Sequence, residues 1–328
     1  MPQARLPIDD ILPELCQALG RAAAVVLKAP TGAGKTTRVP PAVLHARLAG
    51  DRQVILLQPR RVAARAAADR IACERGWVLG QQVGYHVRLE RRASPNTRIL
   101  AVTDGVFVRW LQDDPFLERA GVVVFDEFHE RRLDSDLGLA MVSRVQRELR
   151  PDLKIIVMSA TLDPAPLAAY LGNCPIIESQ GRSFPVDIRY SKFASSMPAP
   201  EQAARSVAEM LGESPGDLLV FLPGVREIRR THQQLAACAA QHDLQVMELY
   251  GEMPLDQQQA VLEPCARRKV VLATNVAETS LTIEGITGVV DTGLARVLRR
   301  DPAHGVNRLE IERISRASAD QRAGRAGR

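Results

Sequence analysis

Along the first half of the chain, short and nearly uninterrupted apolar runs recur: "AVVLKAP" (24–30), "QVILLQP" (53–59), "RILAVT" (98–103), "GVVVFDE" (121–127) and "KIIVMSAT" (154–161). They do not alternate apolar with polar residues, so each predicts a strand buried on both faces, as in a parallel sheet covered by helices. The intervals between them leave room for those helices. One interval, "RRVAARAAADRIACERG", is alanine-rich and reaches Gly76, a residue suited to a helix end. Strand alternating with helix predicts a doubly wound parallel α/β fold.

The rhythm breaks at "GRSFPVDIRYSKFASSMPAPE" and restarts with "LLVFLPG" (218–224), "QVMELYG" (245–251), "KVVLATN" (269–275) and "GVVDTG" (288–293). Two α/β domains in tandem are expected, 1–179 and 180–328, and 328 residues suffice for two cores. After Gly293 the period switches to two, and "ARVLRRDPAHGVNRLEIERIS" predicts a β-hairpin over about 295–313 around the five-residue loop "DPAHG". The chain stops at "QRAGRAGR" without a closing turn or polar tail, so a longer parent chain is expected.

Composition adds limits more than positive signals. With 46% hydrophobic and 25% charged residues the chain is globular, and a net charge of +5 is compatible with a nucleic-acid partner. The five cysteines form no CxxC pair and no zinc-site spacing, which suits reduced thiols in a cytoplasmic protein. No run approaches the ~18 apolar residues of a membrane span. The opening "MPQARLPIDDILPEL" has acids and prolines where a signal peptide needs an apolar stretch.

Three stretches carry candidate chemistry. "APTGAGKT" (29–36) departs from the GxxxxGK[ST] phosphate-loop pattern only in Ala29, and it stands after a predicted strand and before a predicted helix. Gly32 and Gly34 allow consecutive backbone N–H groups to face an anion. Lys35 suits the β- and γ-phosphates, and the Thr36 hydroxyl suits Mg²⁺. The plain alternative is a glycine-rich turn with a solvated lysine. "VVVFDEFHE" ends a strand with two adjacent carboxylates, which are often only loop formers. Downstream of a phosphate loop, Asp126 is a candidate for holding Mg²⁺ through water. Glu127 is then a candidate base for the attacking water, close enough to share the metal's surroundings. "HERRL" lacks the second ligand a zinc site needs. In "QRAGRAGR", Gln321, Arg325 and Arg328 fall on one face if the segment is helical. They read either as a basic helix end or as arginine fingers for transition-state charge.

Taken with "QPRRVAA" (58–64), "TDGVFVRWL" (103–111), "DEFHER" (126–131), "SAT" (159–161), "FLPGVREI" (221–228), "LYGEMP" (249–254) and "ATNVAETSLTIEGI" (273–286), these stretches resemble the ordered motif series of superfamily 2 DEAH-box RNA helicases. The resemblance runs from about residue 20 to 328, and Phe128 within the box makes it most similar to the bacterial HrpB-type subgroup. It implies two RecA-like domains with ATP and Mg²⁺ in a cleft between them and single-stranded RNA, or DNA, as the partner. A monomer is expected, with accessory domains following the last motif. It also implies nucleotide contacts from Thr31, Gly32, Ala33, Gly34, Lys35, Thr36, Thr37 and Asp291, with Arg70 on the adenine face. Where the family expects a stacking phenylalanine, this chain has Leu262, which leaves base selectivity open. His129, Ser159, Thr161 and Ser280 are implied in coupling nucleotide state to domain movement. Arg60, Arg61, Thr103, Gly105, Gly224, Thr274 and Asn275 are implied in gripping the sugar-phosphate backbone. That set is physically apt, because arginines, short polar side chains and backbone N–H groups contact phosphates without reading bases. The low aromatic content, 4%, argues against stacking as the main grip. The motifs are read as those of an ATP-dependent RNA helicase motor core that moves on single-stranded RNA and unwinds duplexes, with a clamp that remodels without processive unwinding as the alternative. A small-molecule phosphotransferase fits them poorly.

Overall fold

The computed structural model describes residues 5–179, 185–191, 197–278, 283–301 and 304–326. The chain divides into two compact units, Met1–Arg182 and Ser183–Arg328.

The first unit opens with a 3₁₀ turn at Pro7–Asp10 and continues through α1 (Leu12–Arg21), β1 (Ala24–Lys28), α2 (Lys35–His45), β2 (Gln53–Gln58) and α3 (Arg61–Arg75). There follow β3 (Val83–Val87), β4 (Glu90–Arg92), β5 (Ile99–Thr103), α4 (Asp104–Asp113), β6 (Ala120–Phe125), α5 (Leu133–Glu148), β7 (Lys154–Ser159), α6 (Pro164–Tyr170) and β8 (Ile176–Glu178). The strands form one eight-stranded sheet in the order β4-β3-β5-β2-β6-β7-β1-β8. All neighbours are parallel except β3 and β4. The apolar runs are continuous because both faces are covered. Val25, Leu27, Val54, Leu56, Val122 and Val124 enter one core, and Val26, Ile55, Leu57, Val123 and Phe125 enter the other. Helix α3 ends as its sequence suggests, with Gly76 left-handed at φ 65°.

Three strands, β3, β4 and β8, were not marked by an apolar run. In β3 (VGYHV) a glycine and a histidine break the pattern. In β4 (ERR) every residue is charged, and its antiparallel pairing places it at the sheet's edge, where exposed charge discourages further strand addition. The sheet is therefore parallel with one antiparallel edge.

The second unit contains α7 (Ala199–Leu211), β9 (Asp217–Phe221), α8 (Val225–Gln241), β10 (Gln245–Leu249), α9 (Leu255–Leu262), β11 (Lys269–Ala273) and β12 (Ile286–Asp291), ending with β13 (Leu294–Arg300), β14 (Asn307–Arg313) and α10 (Arg316–Ala323). Strands β9–β12 make a parallel sheet ordered β10-β11-β9-β12, and β13 pairs with β14 as a separate antiparallel hairpin. Arg300 pairs with Asn307, so six residues lie between the strands rather than five. Its base is held by a hydrogen bond from the Asp301 N–H to the Val306 carbonyl at 2.8 Å.

Backbone packing in the first unit fixes Gly121, as it does Gly84. A Cβ at Gly121, where β6 begins, would lie 2.3 Å from the Ala49 carbonyl oxygen and 2.8 Å from its Cα. Backbone atoms cannot move aside as a flexible side chain can. Gly121→Ala is therefore expected to destabilise by about 1–3 kcal/mol or more, as overpacked cores do. Gly76→Ala, with open space but a left-handed backbone, should cost only about 1 kcal/mol. Thermal melts of the two variants followed by circular dichroism check the order.

Candidate nucleotide site

The candidate site in the first unit forms where β1, β2, β6 and β7 end. Between β1 and α2, Gly32 (φ 81°) and Gly34 (φ 95°) adopt left-handed backbone, which turns the chain back onto the start of α2. Helix α2 leaves its first N–H groups without partners inside the helix, as every α-helix does. Lys35 is buried at 4% exposure, and its Nζ donates to the Ala29 carbonyl at 2.6 Å and the Pro30 carbonyl at 3.0 Å. The loop is pinned from both sides. The Ala29 N–H donates to the Ser159 carbonyl at 3.0 Å, and the Ile8 N–H donates to the Ala33 carbonyl at 3.1 Å.

Asp126 joins this loop to the end of β6. Its Oδ2 accepts from the Thr36 hydroxyl at 2.5 Å and from Gln58 Nε2 at 2.7 Å, while its Oδ1 accepts from the Glu127 N–H at 2.9 Å. Burial, reinforced by the negative charge of Glu127, pushes the Asp126 carboxyl up to about 6, against the opposing pull of Lys35, Thr36 and Gln58. Glu127 is buried and left-handed at φ 50°, and its Oε2 lies 3.5 Å from His129 Nε2. His129 Nδ1 accepts from the Ala160 N–H at 3.3 Å, and the Ser159 hydroxyl oxygen accepts from the Leu162 N–H at 3.1 Å. Thus the phosphate-loop pattern, the carboxylate pair, His129 and "SAT" share one corner of the sheet. Thr161 and Gly32 are exposed there, while Thr31 and Thr37 are half-buried.

These residues suit a magnesium nucleotide. A carboxyl whose pKa burial raises is favoured in its charged form by an approaching cation. A threonine hydroxyl and a carboxylate at 2.5 Å are hard oxygen donors. Mg²⁺ is typically bound by one or two protein oxygens plus substrate phosphates rather than by an all-protein cage. No cluster of three or more His, Cys, Asp or Glu able to hold a metal occurs among the described residues.

Phe128, the variant position in the box, is a core anchor. It is buried at 3% exposure and meets Phe125 edge-to-face at 6.1 Å, and Phe125 meets Phe107 likewise at 6.3 Å. Arg70 points out from α3 with its Nε on Glu74 Oε1 at 2.7 Å. Among the candidates for the nucleic-acid backbone, Arg60 lies 3.4 Å from Glu130, Arg61 and Gly105 are exposed, and Thr103 precedes α4.

The second unit departs from expectation at its C-terminal arginines. Gln321 and Arg325 do not lie on one continuous helix. Helix α10 ends at Ala323, and Arg325 lies in a tightened turn, with the Arg325 N–H bonded to the Arg322 carbonyl at 3.1 Å and the Ala326 N–H to the Ala323 carbonyl at 3.1 Å. Bonds three residues back break the helical spacing on which the shared face depended. Arg325 is buried, and its guanidinium donates to the Glu278 carbonyl, from Nε at 3.0 Å. Gln321 is buried as well. Arg328 and Ser280 lie outside the described residues. Asp291, an exposed residue at the end of β12, accepts through Oδ1 from Arg322 Nη1 at 2.8 Å and from the Gly293 N–H at 2.9 Å. Gly224 sits beneath Arg296, whose Cζ would be 3.0 Å from an added Cβ; Thr274 is half-buried, Asn275 is exposed, and Leu262 closes α9 half-buried.

The residue missed in the sequence is Arg322. It is 1% exposed, bonds Glu278 Oε2 at 2.9 Å and Asp291 at 2.8 Å, and lies 4.7 Å above the Phe221 ring. Its neighbour in sequence, Gln321, had drawn attention as part of a motif. An arginine one position along carries no spacing signal that separates a buried hub from a solvated cation.

Tandem parallel sheets, the first with a pinned phosphate loop hydrogen-bonded to a strand-end carboxylate, define a pair of RecA-like domains. The family model for DEAD/DEAH box helicase matches residues 10–169, and that for the helicase conserved C-terminal domain matches residues 201–328. The chain belongs to the DEAD/DEAH box helicases. It is 49% identical over 326 residues to the ATP-dependent RNA helicase HrpB of Escherichia coli (strain K12), covering 98% of this chain and 40% of that protein. It is 38% identical to the ATP-dependent RNA helicase HrpA of the same strain, covering 98% of this chain and 25% of that protein. The crystal structure of the Escherichia coli DEAH/RHA helicase HrpB matches with a TM-score of 0.90 at 47% identity, covering 98% of this chain and 41% of that one. The chain thus spans about two fifths of the length of the HrpB relative. No helix among the described residues is long and apolar enough to cross a membrane.

The raised Asp126 carboxyl has a signed consequence. The folded chain holds this proton more tightly than the unfolded chain, whose carboxyl titrates near 3.8. Stability linked to Asp126 is therefore fully present below pH 3.8 and is lost as pH rises through about 6. Without nucleotide or magnesium, the melting temperature of the parent should fall relative to that of Asp126→Asn across this window. Parallel melting curves for the two proteins would show that the site does not hold the proton.

Proposed function

We propose that this chain is the motor core of an ATP-dependent RNA helicase, HrpB-like, in which ATP hydrolysis drives movement on single-stranded RNA and separation of duplexes. The observation that carries the reading is the 2.5 Å contact between the Thr36 hydroxyl and Asp126 beside the buried Glu127. It links the phosphate loop to the strand-end carboxylates in the way a magnesium-dependent triphosphatase requires. Identity of 49% to a protein named an ATP-dependent RNA helicase supports the same reading.

Lys35 and the α2 N-terminus bind the β- and γ-phosphates, the backbone amides of Gly32 to Thr37 orienting them. Thr36 and Asp126 hold Mg²⁺, which supplies charge neutralisation at the phosphates when bound. Glu127 orients the attacking water and takes its proton, and His129 fixes the Glu127 carboxylate while reporting to "SAT" through the Ala160 N–H. Gln321 and Arg325 of the second unit, with Arg328, stabilise the charge that develops on the transferred phosphoryl group. Arg60, Arg61, Thr103 and Gly105, with Gly224, Thr274 and Asn275, grip the RNA backbone. Ser159, Thr161 and Ser280 transmit nucleotide state, and Arg70 covers one face of the base.

The deciding experiment is the ATPase rate with and without single-stranded RNA, alongside a strand-displacement assay. RNA is expected to raise the rate severalfold, and a rate indifferent to RNA sinks the motor reading. Glu127→Gln should slow single-turnover hydrolysis by about 10²- to 10⁴-fold, the usual worth of a positioned base, with nucleotide affinity nearly intact. Lys35→Ala should weaken nucleotide binding itself. A nucleotide titration alongside single-turnover hydrolysis separates the two roles.

A further inference from the structure

Arg60, proposed above as a phosphate grip, is held by a carboxylate of the same turn that carries Glu127. Glu130 Oε2 lies 3.4 Å from Arg60 Nη2, with the two side chains 14% and 21% exposed. The same oxygen lies 4.0 Å from Arg132 Nη1, whose Nε is 3.7 Å from Asp104 Oδ2. Asp104 in turn accepts from the Ser135 hydroxyl at 2.6 Å. Glu130 thus stands at the head of a polar chain that runs inward to the buried Asp104 and Ser135 at the start of α4 and α5.

Its backbone is short and constrained. Glu130 closes the 3₁₀ turn Phe128–Glu130, bracketed by left-handed Glu127 (φ 50°) and Arg131 (φ 48°), and its N–H donates to the Glu127 carbonyl at 3.0 Å. Phe128 anchors the turn in the core. Glu127 and His129 face the nucleotide corner while Glu130 faces Arg60. One rigid turn therefore carries the candidate base at one end and the partner of a candidate RNA contact at the other.

We infer that Glu130 is a positioning residue: it orients Arg60 before RNA arrives and yields the guanidinium to an RNA phosphate when RNA binds, so that strand binding acts directly on the turn that carries Glu127. The inference rests on the reading of Arg60 as an RNA phosphate contact. The energetics permit the exchange. A partly exposed ion pair at 3.4 Å is weak enough to be displaced, and a guanidinium–phosphate pair is charge-assisted and often bidentate.

The test is a double-mutant cycle on the 328-residue chain, measuring the Kd for a fluorescein-labelled oligouridylate at fixed salt. Arg60→Ala is expected to weaken binding. Glu130→Gln, which removes the competing charge and keeps the shape, should tighten it by about threefold to tenfold, within the lower part of the range of coupling between residues in contact. In the Arg60→Ala background the same Glu130→Gln change should alter Kd by less than about twofold, because its effect passes through Arg60. Glu130→Asp, charged but one methylene shorter, should tighten binding less than Glu130→Gln, and it stands in if the latter fails to fold. The half-saturating RNA concentration for ATPase stimulation should move with Kd. Equal tightening in both backgrounds means that Glu130 merely repels RNA at a distance, and overturns the inference alone. An unchanged Kd for Arg60→Ala removes the phosphate contact on which it rests, leaving the ATP site untouched.

Discussion

The meeting of Asp126 with Thr36 and Gln58 is the contact on which the first unit's chemistry depends. It ties three elements that are distant in sequence: the first turn of α2, the end of β2 and the end of β6. A buried carboxylate is tolerated only when its oxygens are satisfied, and here both are. The parallel sheet makes this arrangement available, because neighbouring strands deliver their carboxyl ends to the same edge. The phosphate loop then needs only two left-handed glycines to turn its amides toward that edge.

The second unit solves a different problem with a buried cation. Arg322 is enclosed by Glu278, Asp291 and the face of Phe221, which binds the segment after β11, the end of β12 and helix α10 into one block. An arginine so deeply buried is stable only with its charge matched and its donors used. Glu278 accepts through its carboxylate from Arg322 and the Ser318 hydroxyl, and through its carbonyl from Arg325. The consequence for function is positional. Arg325 does not dangle from a helix end but is fixed by the backbone of the neighbouring motif.

Around the nucleotide corner, packing and polar contacts are divided along a single turn. Phe128 faces inward to Phe125, Glu127 and His129 face the phosphate loop, and Glu130 faces Arg60. The left-handed residues at either end of that turn make such a division within a few residues achievable. The phenylalanine, unusual as a box residue, fills an aromatic core and so contributes to the placement of its neighbours rather than to chemistry.

The sequence by itself determined the alternation of strand and helix, the strands buried on both faces, the end of α3 at Gly76 and the phosphate-loop pattern. These follow from local periodicity and from residue types that the backbone demands, which no distant partner has to supply. It did not reveal β3, β4 and β8, whose short or charged segments become strands only because a neighbouring strand offers hydrogen bonds. Nor did it reveal the end of the last helix before Arg325, or the burial of Arg322. An arginine becomes a hub, a finger or a solvated cation according to which carboxylates the fold brings within 3–4 Å of it. That choice belongs to tertiary structure, because the partners of Arg322 lie 44 and 31 residues away along the chain, beyond the reach of any local pattern.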